Sequence, residues 1–221
     1  MHIWLFSSGG SLNEDIDLAL MHHFNLDNPR LTFIPSSFES SSYYFEEFSE
    51  RFSRYGFQNI NIFHADQPFT KKDLNQLLNS EMIYLSGGNT FYFLAVCKKI
   101  GLFEHLIRFS ENGGIISGHS AGAILLTPNI TTASYPEDDR DENEVGIEDW
   151  TAAGLVKFEV FPHYDSNQYY EDTLKRASIQ SKGVIYGVSD GAAIYVNDGS
   201  TTFFGDIWAF NNGASFMING G

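Results

Sequence analysis

The stretch Gly113-Gly114-Ile115-Ile116-Ser117-Gly118-His119-Ser120-Ala121-Gly122-Ala123-Ile124-Leu125-Leu126 decides how the chain is read. An apolar run enters a cluster of small residues and a second apolar run leaves it, the pattern of a strand that turns sharply into a helix. Gly118–Gly122 matches G-x-S-x-G, in which small neighbours let the turn lift the serine Oγ clear of the sheet. The same turn aims the next backbone N–H, that of Ala121, at the position of a developing oxyanion. Ser120 is therefore the candidate nucleophile, with a tight packing turn as the competing reading.

Working outward, four further apolar runs precede this one: His2–Phe6, Leu31–Pro35, Asn61–His64 and Met82–Leu85. Helix-like segments separate them. Tyr44, Phe45, Phe48, Phe52 and Tyr55 recur at helical spacing, with Gly56 as a stop. Thr70 with Asp73 reads as a capping box, and Thr90 to Lys99 as a helix. Alternating strands and helices predict an α/β fold with a mostly parallel sheet, whose sites lie beyond the carboxyl ends of the strands. That rule selects Ser7–Gly10, Ser36-Ser37, His64–Asp66, Ser86–Thr90 and Gly118–Gly122. Past residue 183, short runs are separated by Asp-Gly, Asn-Asp-Gly, Gly-Asp and Asn-Asn-Gly turns, which predict antiparallel hairpins at the sheet edge. No linker or internal repeat interrupts the chain, so residues 1–221 read as a single domain.

The chain has 221 residues, 28 Asp+Glu against 13 Lys+Arg, and a net charge of −15. Such a balance argues against nucleic acid and anionic membrane surfaces as partners, because both need clustered cations. The single cysteine, Cys97, excludes an intrachain disulfide and a cysteine-rich zinc site. The short first apolar run lacks a cationic leader and reads as a strand, so a cytoplasmic location is expected. The 20 Phe and 11 Tyr read as core packing and interface. No cofactor or metal is predicted, since the spacing of His163 and Asp165 is too common to count as a metal motif.

Ser86-Gly87-Gly88-Asn89-Thr90 closes the fourth strand, and its glycines let backbone approach a ligand. Gly87, Gly88 and Asn89 are thus candidates for substrate or oxyanion binding beside Ala121. A serine nucleophile needs a base. His119 adjoins Ser120, yet consecutive residues on a turn seldom face one another. His64 and His163 each end an apolar run, and His163 is favoured because Tyr164, Asp165 and Asn167 surround it with orienting groups. The acidic segment from Glu137 to Asp149 lies between Ser120 and His163, an order of serine, acid, histidine. Its competing reading is a solvated loop.

Together, Ser86–Thr90, Gly118–Gly122, Thr127-Pro128-Asn129-Ile130 and Phe161-Pro162-His163 make the chain resemble the peptidase E (aspartyl dipeptidase) and cyanophycinase family of serine peptidases. The resemblance implies a class I glutamine-amidotransferase-like, flavodoxin-like fold. It also implies Ser120 as nucleophile, His163 as base, and backbone N–H groups near Gly88 and Ala121 as the oxyanion hole. Aspartyl dipeptidases of the family carry an aspartate shortly after a Thr-Thr pair. Ser134 stands at that position here, and Glu137, followed by Asp138 and Asp139, is the first carboxylate available for the triad. The segment that bears an arginine for the N-terminal aspartate reads Asp165 to Glu171 here, without one. The implied activity is exo- or dipeptidase cleavage of short peptides through an acyl-enzyme. A family member acting as a binding protein and another acyl hydrolase are the alternatives. A homodimer is compatible with the resemblance, though no sequence signal requires it.

Overall fold

In the computed structural model, residues 1–8, 14–24, 29–39 and 41–219 are described; Gly9 and Gly10 of the expected turn after the first strand lie outside them. Strand β1 (His2–Phe6) shows how the sequence builds the layers. Ile3 and Leu5 alternate with Trp4 and Phe6, and all four are buried. A strand buried on both faces requires helices on both sides of its sheet.

Parallel to β1 runs β5 (Ile115–His119), with Phe6 opposite His119. Next come β4 (Met82–Leu85), β2 (Arg30–Ile34) and β3 (Asn59–Ile62), all parallel. On the other flank of β1, β8 (Ala193–Asn197) and β9 (Ser200–Phe204) run antiparallel, giving the order β3-β2-β4-β5-β1-β8-β9. The third strand begins two residues before the expected Asn61, although the Phe63 N–H still donates to the Phe33 carbonyl at 2.9 Å.

Helices α1 (Glu14–Met21) and α2 (Ser41–Ser53) cover the face that carries Trp4 and Phe6. Phe33, Phe48, Phe52 and Tyr84 fill the layer between, with ring centroids 4.6 to 5.7 Å apart along Phe33–Phe48, Phe33–Tyr84, Phe48–Phe52 and Phe48–Tyr84. The aromatic-rich composition is thus largely core at this face, and each such ring contributes about 2–3 kcal/mol by leaving water. The opposite face is covered by α3 (Lys71–Leu78), α4 (Thr90–Lys99), α5 (Leu102–Glu111) and α6 (Ala121–Leu125). The capping box at Thr70 forms: Asp73 Oδ2 accepts the Thr70 N–H at 2.8 Å, and Thr70 Oγ1 accepts the Asp73 N–H at 3.3 Å.

The carboxyl-terminal third departs from the edge-hairpin expectation. Only β8 and β9 extend the main sheet. Strands β6 (Glu159–Phe161), β7 (Ile185–Val188), β10 (Asp206–Asn211) and β11 (Ala214–Asn219) form a second sheet in the order β11-β10-β7-β6. Its β6 and β7 are parallel. The cause is a separate core in which Phe161, Tyr164, Ile185 and Phe210 pack with Leu174 of α7 (Gln168–Gln180). A side chain at Gly187 would meet the Tyr164 ring at 2.9 Å, so that core closes only around glycine. The Asp190-Gly191 turn is therefore where the chain steps from the small sheet to the large one.

Within this layer lies a buried ion pair. Arg51 forks onto both oxygens of Asp17, and Tyr55 Oη donates to Asp17 Oδ2 at 3.1 Å. The guanidinium also sits 5.2 Å from the Phe6 ring centroid. Removing Asp17 strands a positive charge in the core, so Asp17→Ala is expected to cost about 3–5 kcal/mol of stability. A urea denaturation midpoint close to that of the wild type would refute this assignment.

Candidate active site

Ser120 sits where β5 turns into α6, with φ 49° and ψ −114°, a backbone state that side chains rarely adopt. Close packing holds it there. A Cβ on Gly118 would lie 2.5 Å from the Gly122 carbonyl oxygen, and one on Gly122 would run into the Leu85 carbonyl. Three backbone hydrogen bonds of 3.0 Å pin the turn: Ser120 N–H to Phe6 O, Gly122 N–H to Ser86 O, and Ile124 N–H to Ser120 O. Strand, turn and helix follow the reading of residues 113–126.

Two residues beyond β6, His163 adopts a positive φ of 57° and places its ring over the turn. Its Nε2 lies 3.0 Å from Ser120 Oγ and its Nδ1 lies 2.8 Å from Asp190 Oδ1. With the proton on Nδ1, the imidazole donates to Asp190 and accepts from the Ser120 hydroxyl. The carboxylate on His163 is thus Asp190 and not Glu137, which corrects the expectation. The chain order is serine, histidine, acid.

Carboxylates after Thr131-Thr132 turn to α7 instead. Asp138 accepts from Tyr169 Oη at 3.3 Å and Asp139 from Tyr170 Oη at 2.5 Å, while Glu137 is exposed. The rest of the acidic segment docks on the start of α4. Asp141 Oδ2 accepts the Thr90 N–H at 2.7 Å, and the Glu142 carbonyl accepts from Asn89 Nδ2 at 2.9 Å. The solvated-loop reading therefore describes only part of it.

Gly87 is a neighbour of the serine: a Cβ there would lie 3.5 Å from Ser120 Cβ. Gly88 has φ 132°, and a side chain on it would collide with Ser36. Ala121 is the first residue of α6, so its N–H has no partner within the helix. Asn89 serves structure, because its Oδ1 caps α4 by accepting the Tyr92 N–H at 2.9 Å. Gly88 and Asn89 also wall a cavity of about 580 Å³ that is lined by Phe38, Tyr44, Tyr92, Glu39, Asp66 and Glu144. His64, the other terminal histidine, packs edge-on against Phe38 at 4.9 Å. Among the described residues, no group of three or more His, Cys, Asp or Glu is placed to hold a metal ion. No helix there is long and apolar enough to cross a membrane. Cys97 is buried in α4, and burial pushes its thiol well above the usual range.

The imidazole of His119, the last residue of β5, is pushed down to about 4, chiefly because burial disfavours its charged form, with the His163 ring and Arg51 adding to the effect. Between that value and the ordinary 6.5 the unfolded chain binds a proton that the folded one refuses, so stability rises with pH across this window. The contribution is complete above pH 6.5 and lost as pH falls toward 4, on the order of 3 kcal/mol. Urea denaturation at pH 7 and pH 4.5 checks it: His119→Gln should lose less stability between the two than the wild type. Equal losses would refute the role of His119.

Comparison with known proteins bears on this geometry. The model of peptidase family S51 matches residues 3–204. An uncharacterized peptidase of Pasteurella multocida (strain Pm70) is 30% identical over 191 residues, covering 85% of this chain and 91% of that one. Peptidase E of Escherichia coli O1:K1 / APEC is 27% identical over 135 residues, 58% of this chain and 56% of its own. The crystal structure of a candidate peptidase E protein from Listeria monocytogenes EGD-e superposes with a TM-score of 0.74 at 23% identity, over 91% of this chain and 96% of that one. That likeness concerns the fold. With the family model matching residues 3–204, a span that includes Ser120, His163 and Asp190, the chain belongs to peptidase family S51 and is a peptidase.

Proposed function

We propose that the chain is a serine peptidase that removes or splits short peptides, working through Ser120, His163 and Asp190. The observation that carries this reading is the unbroken hydrogen-bonded line from Asp190 Oδ1 through both nitrogens of His163 to Ser120 Oγ. In the first step His163 Nε2 takes the hydroxyl proton while Ser120 Oγ bonds to the peptide carbonyl carbon. The negative charge moves to the carbonyl oxygen, where the Ala121 and Gly88 N–H groups receive it. Collapse breaks the C–N bond, and the proton on His163 leaves with the amine. Water then repeats the sequence on the acyl-enzyme, releasing the acid and restoring Ser120.

Asp190 on the ring supports this reading over that of a relative without catalytic partners. Within α/β folds we assign it to the class I glutamine-amidotransferase-like group. A parallel core with the nucleophile at the carboxyl end of a central strand supports that choice. On the substrate side, Glu39, Asp66 and Glu144 line the cavity beside Gly88, and none of its described lining residues is Lys or Arg. An aspartyl side chain is disfavoured there by like charge, and neutral or cationic peptides are favoured.

A dipeptide library spanning acidic, neutral and basic amino-terminal residues tests both points. Cleavage with a neutral or basic preference is the expected result. No cleavage of any member overturns the peptidase mechanism, and preferential cleavage after aspartate overturns the substrate assignment.

A further inference from the structure

Ser7 directly follows β1 and is wholly buried, yet its hydroxyl serves neither the sheet nor the core. Its Oγ donates to Asp190 Oδ1 at 2.9 Å and accepts the backbone N–H of His163 at 2.7 Å. Its own N–H donates to the Ala192 carbonyl at 3.3 Å. One hydroxyl therefore touches both residues that reach the site from the small sheet, and it is carried just past β1 of the large one. Asp190 Oδ1 receives two donors, the Ser7 hydroxyl and His163 Nδ1–H. That pairing fixes which carboxylate oxygen faces the ring.

We infer that Ser7 is a positioning residue of the active site, holding the Asp190 carboxylate and the His163 backbone in register with Ser120. The inference rests on the serine peptidase reading above. His163 needs such a clamp because it occupies the left-handed region at φ 57°, which a non-glycine residue keeps only when its surroundings fix it. Asp190 needs one because it is exposed on a two-sheet crossover, and its neighbour Gly191 is held by a parallel contact, N–H to Ser8 Oγ at 3.2 Å. In this arrangement the hydroxyl moves no proton to substrate. It restricts the carboxylate rotor so that the imidazole is presented with Nε2 toward the nucleophile.

Ser7→Ala tests the idea with two readouts. With aminoacyl p-nitroanilides as substrates, kcat should fall about 10- to 100-fold while KM changes less than about threefold, because a hydrogen bond to a charged group is lost without touching substrate. The low-field proton resonance of His163 Nδ1–H should shift or broaden relative to the wild type, a signature that needs no turnover. Ser7→Cys, of similar size with a weak donor, should lie between the two and serves if the alanine variant does not fold. A folded variant with wild-type kcat and an unmoved resonance overturns the inference, as does a fall in thermal stability alone with kcat intact. If the wild type itself cleaves nothing, the peptidase reading fails, and the resonance alone then decides for or against the Ser7 clamp.

Discussion

Ser120→Ala is expected to lower kcat/KM for peptide hydrolysis on the order of 10⁶-fold while the protein stays folded. Deleting the nucleophile of a triad removes covalent catalysis and leaves only the oxyanion donors and binding. The fold should tolerate it. Among the described residues the Oγ bonds to His163 Nε2 alone, and the strained turn is held by the Gly118 and Gly122 contacts and three backbone bonds. Circular dichroism and a melting curve should match the wild type. Turnover within tenfold of the wild type in a folded variant would eliminate Ser120 as nucleophile.

The second large effect separates two carboxylates. Asp190→Asn keeps the shape but replaces an acceptor with an amide that can donate to the ring. His163 then favours the wrong tautomer, with its Nε2 protonated toward Ser120, and kcat should fall about 10⁴-fold. Glu137→Gln should change kcat less than about twofold, since Glu137 is exposed and the His163 ring has its partner in Asp190. Steady-state kinetics on the two variants with one peptide substrate decides between them. The opposite ranking would return the acid to the segment after Thr131-Thr132.

The turn that presents Ser120 and the histidine that meets it were legible because local chemistry marks them. G-x-S-x-G between apolar runs has few folded solutions, and His163 ends an apolar run among polar neighbours. The parallel sheet was legible from the alternation of strands and helices. Asp190 was not. It stands in Ser189-Asp190-Gly191, and Asp-Gly is so strong a turn signal that the carboxylate reads as punctuation. Its approach to His163 depends on the chain changing sheets at that turn, which no local pattern encodes. The three-residue β6 escaped for a related reason. Glu159–Phe161 is too short to show alternation, and it is a strand because it pairs with β7 across 23 intervening residues of helix and loop. The acidic segment misled because a carboxylate between serine and histidine fits a familiar order, whereas its residues bind Tyr169, Tyr170 and the start of α4.

The crossover at Asp190 has a consequence for how the enzyme fails. Ser120 stands at the end of a strand of the large sheet, while His163 and Asp190 follow strands of the small one, whose outer face packs a handful of side chains around Tyr164 and Phe210 and whose inner face, with Val160, Val188 and Ile207, joins the core of the large sheet. A small core opens more readily than a large one. Loosening that outer layer would shift His163 and Asp190 relative to Ser120. The alignment of Asp190 and His163 with Ser120 therefore depends on that outer layer as well as on the core the two sheets share.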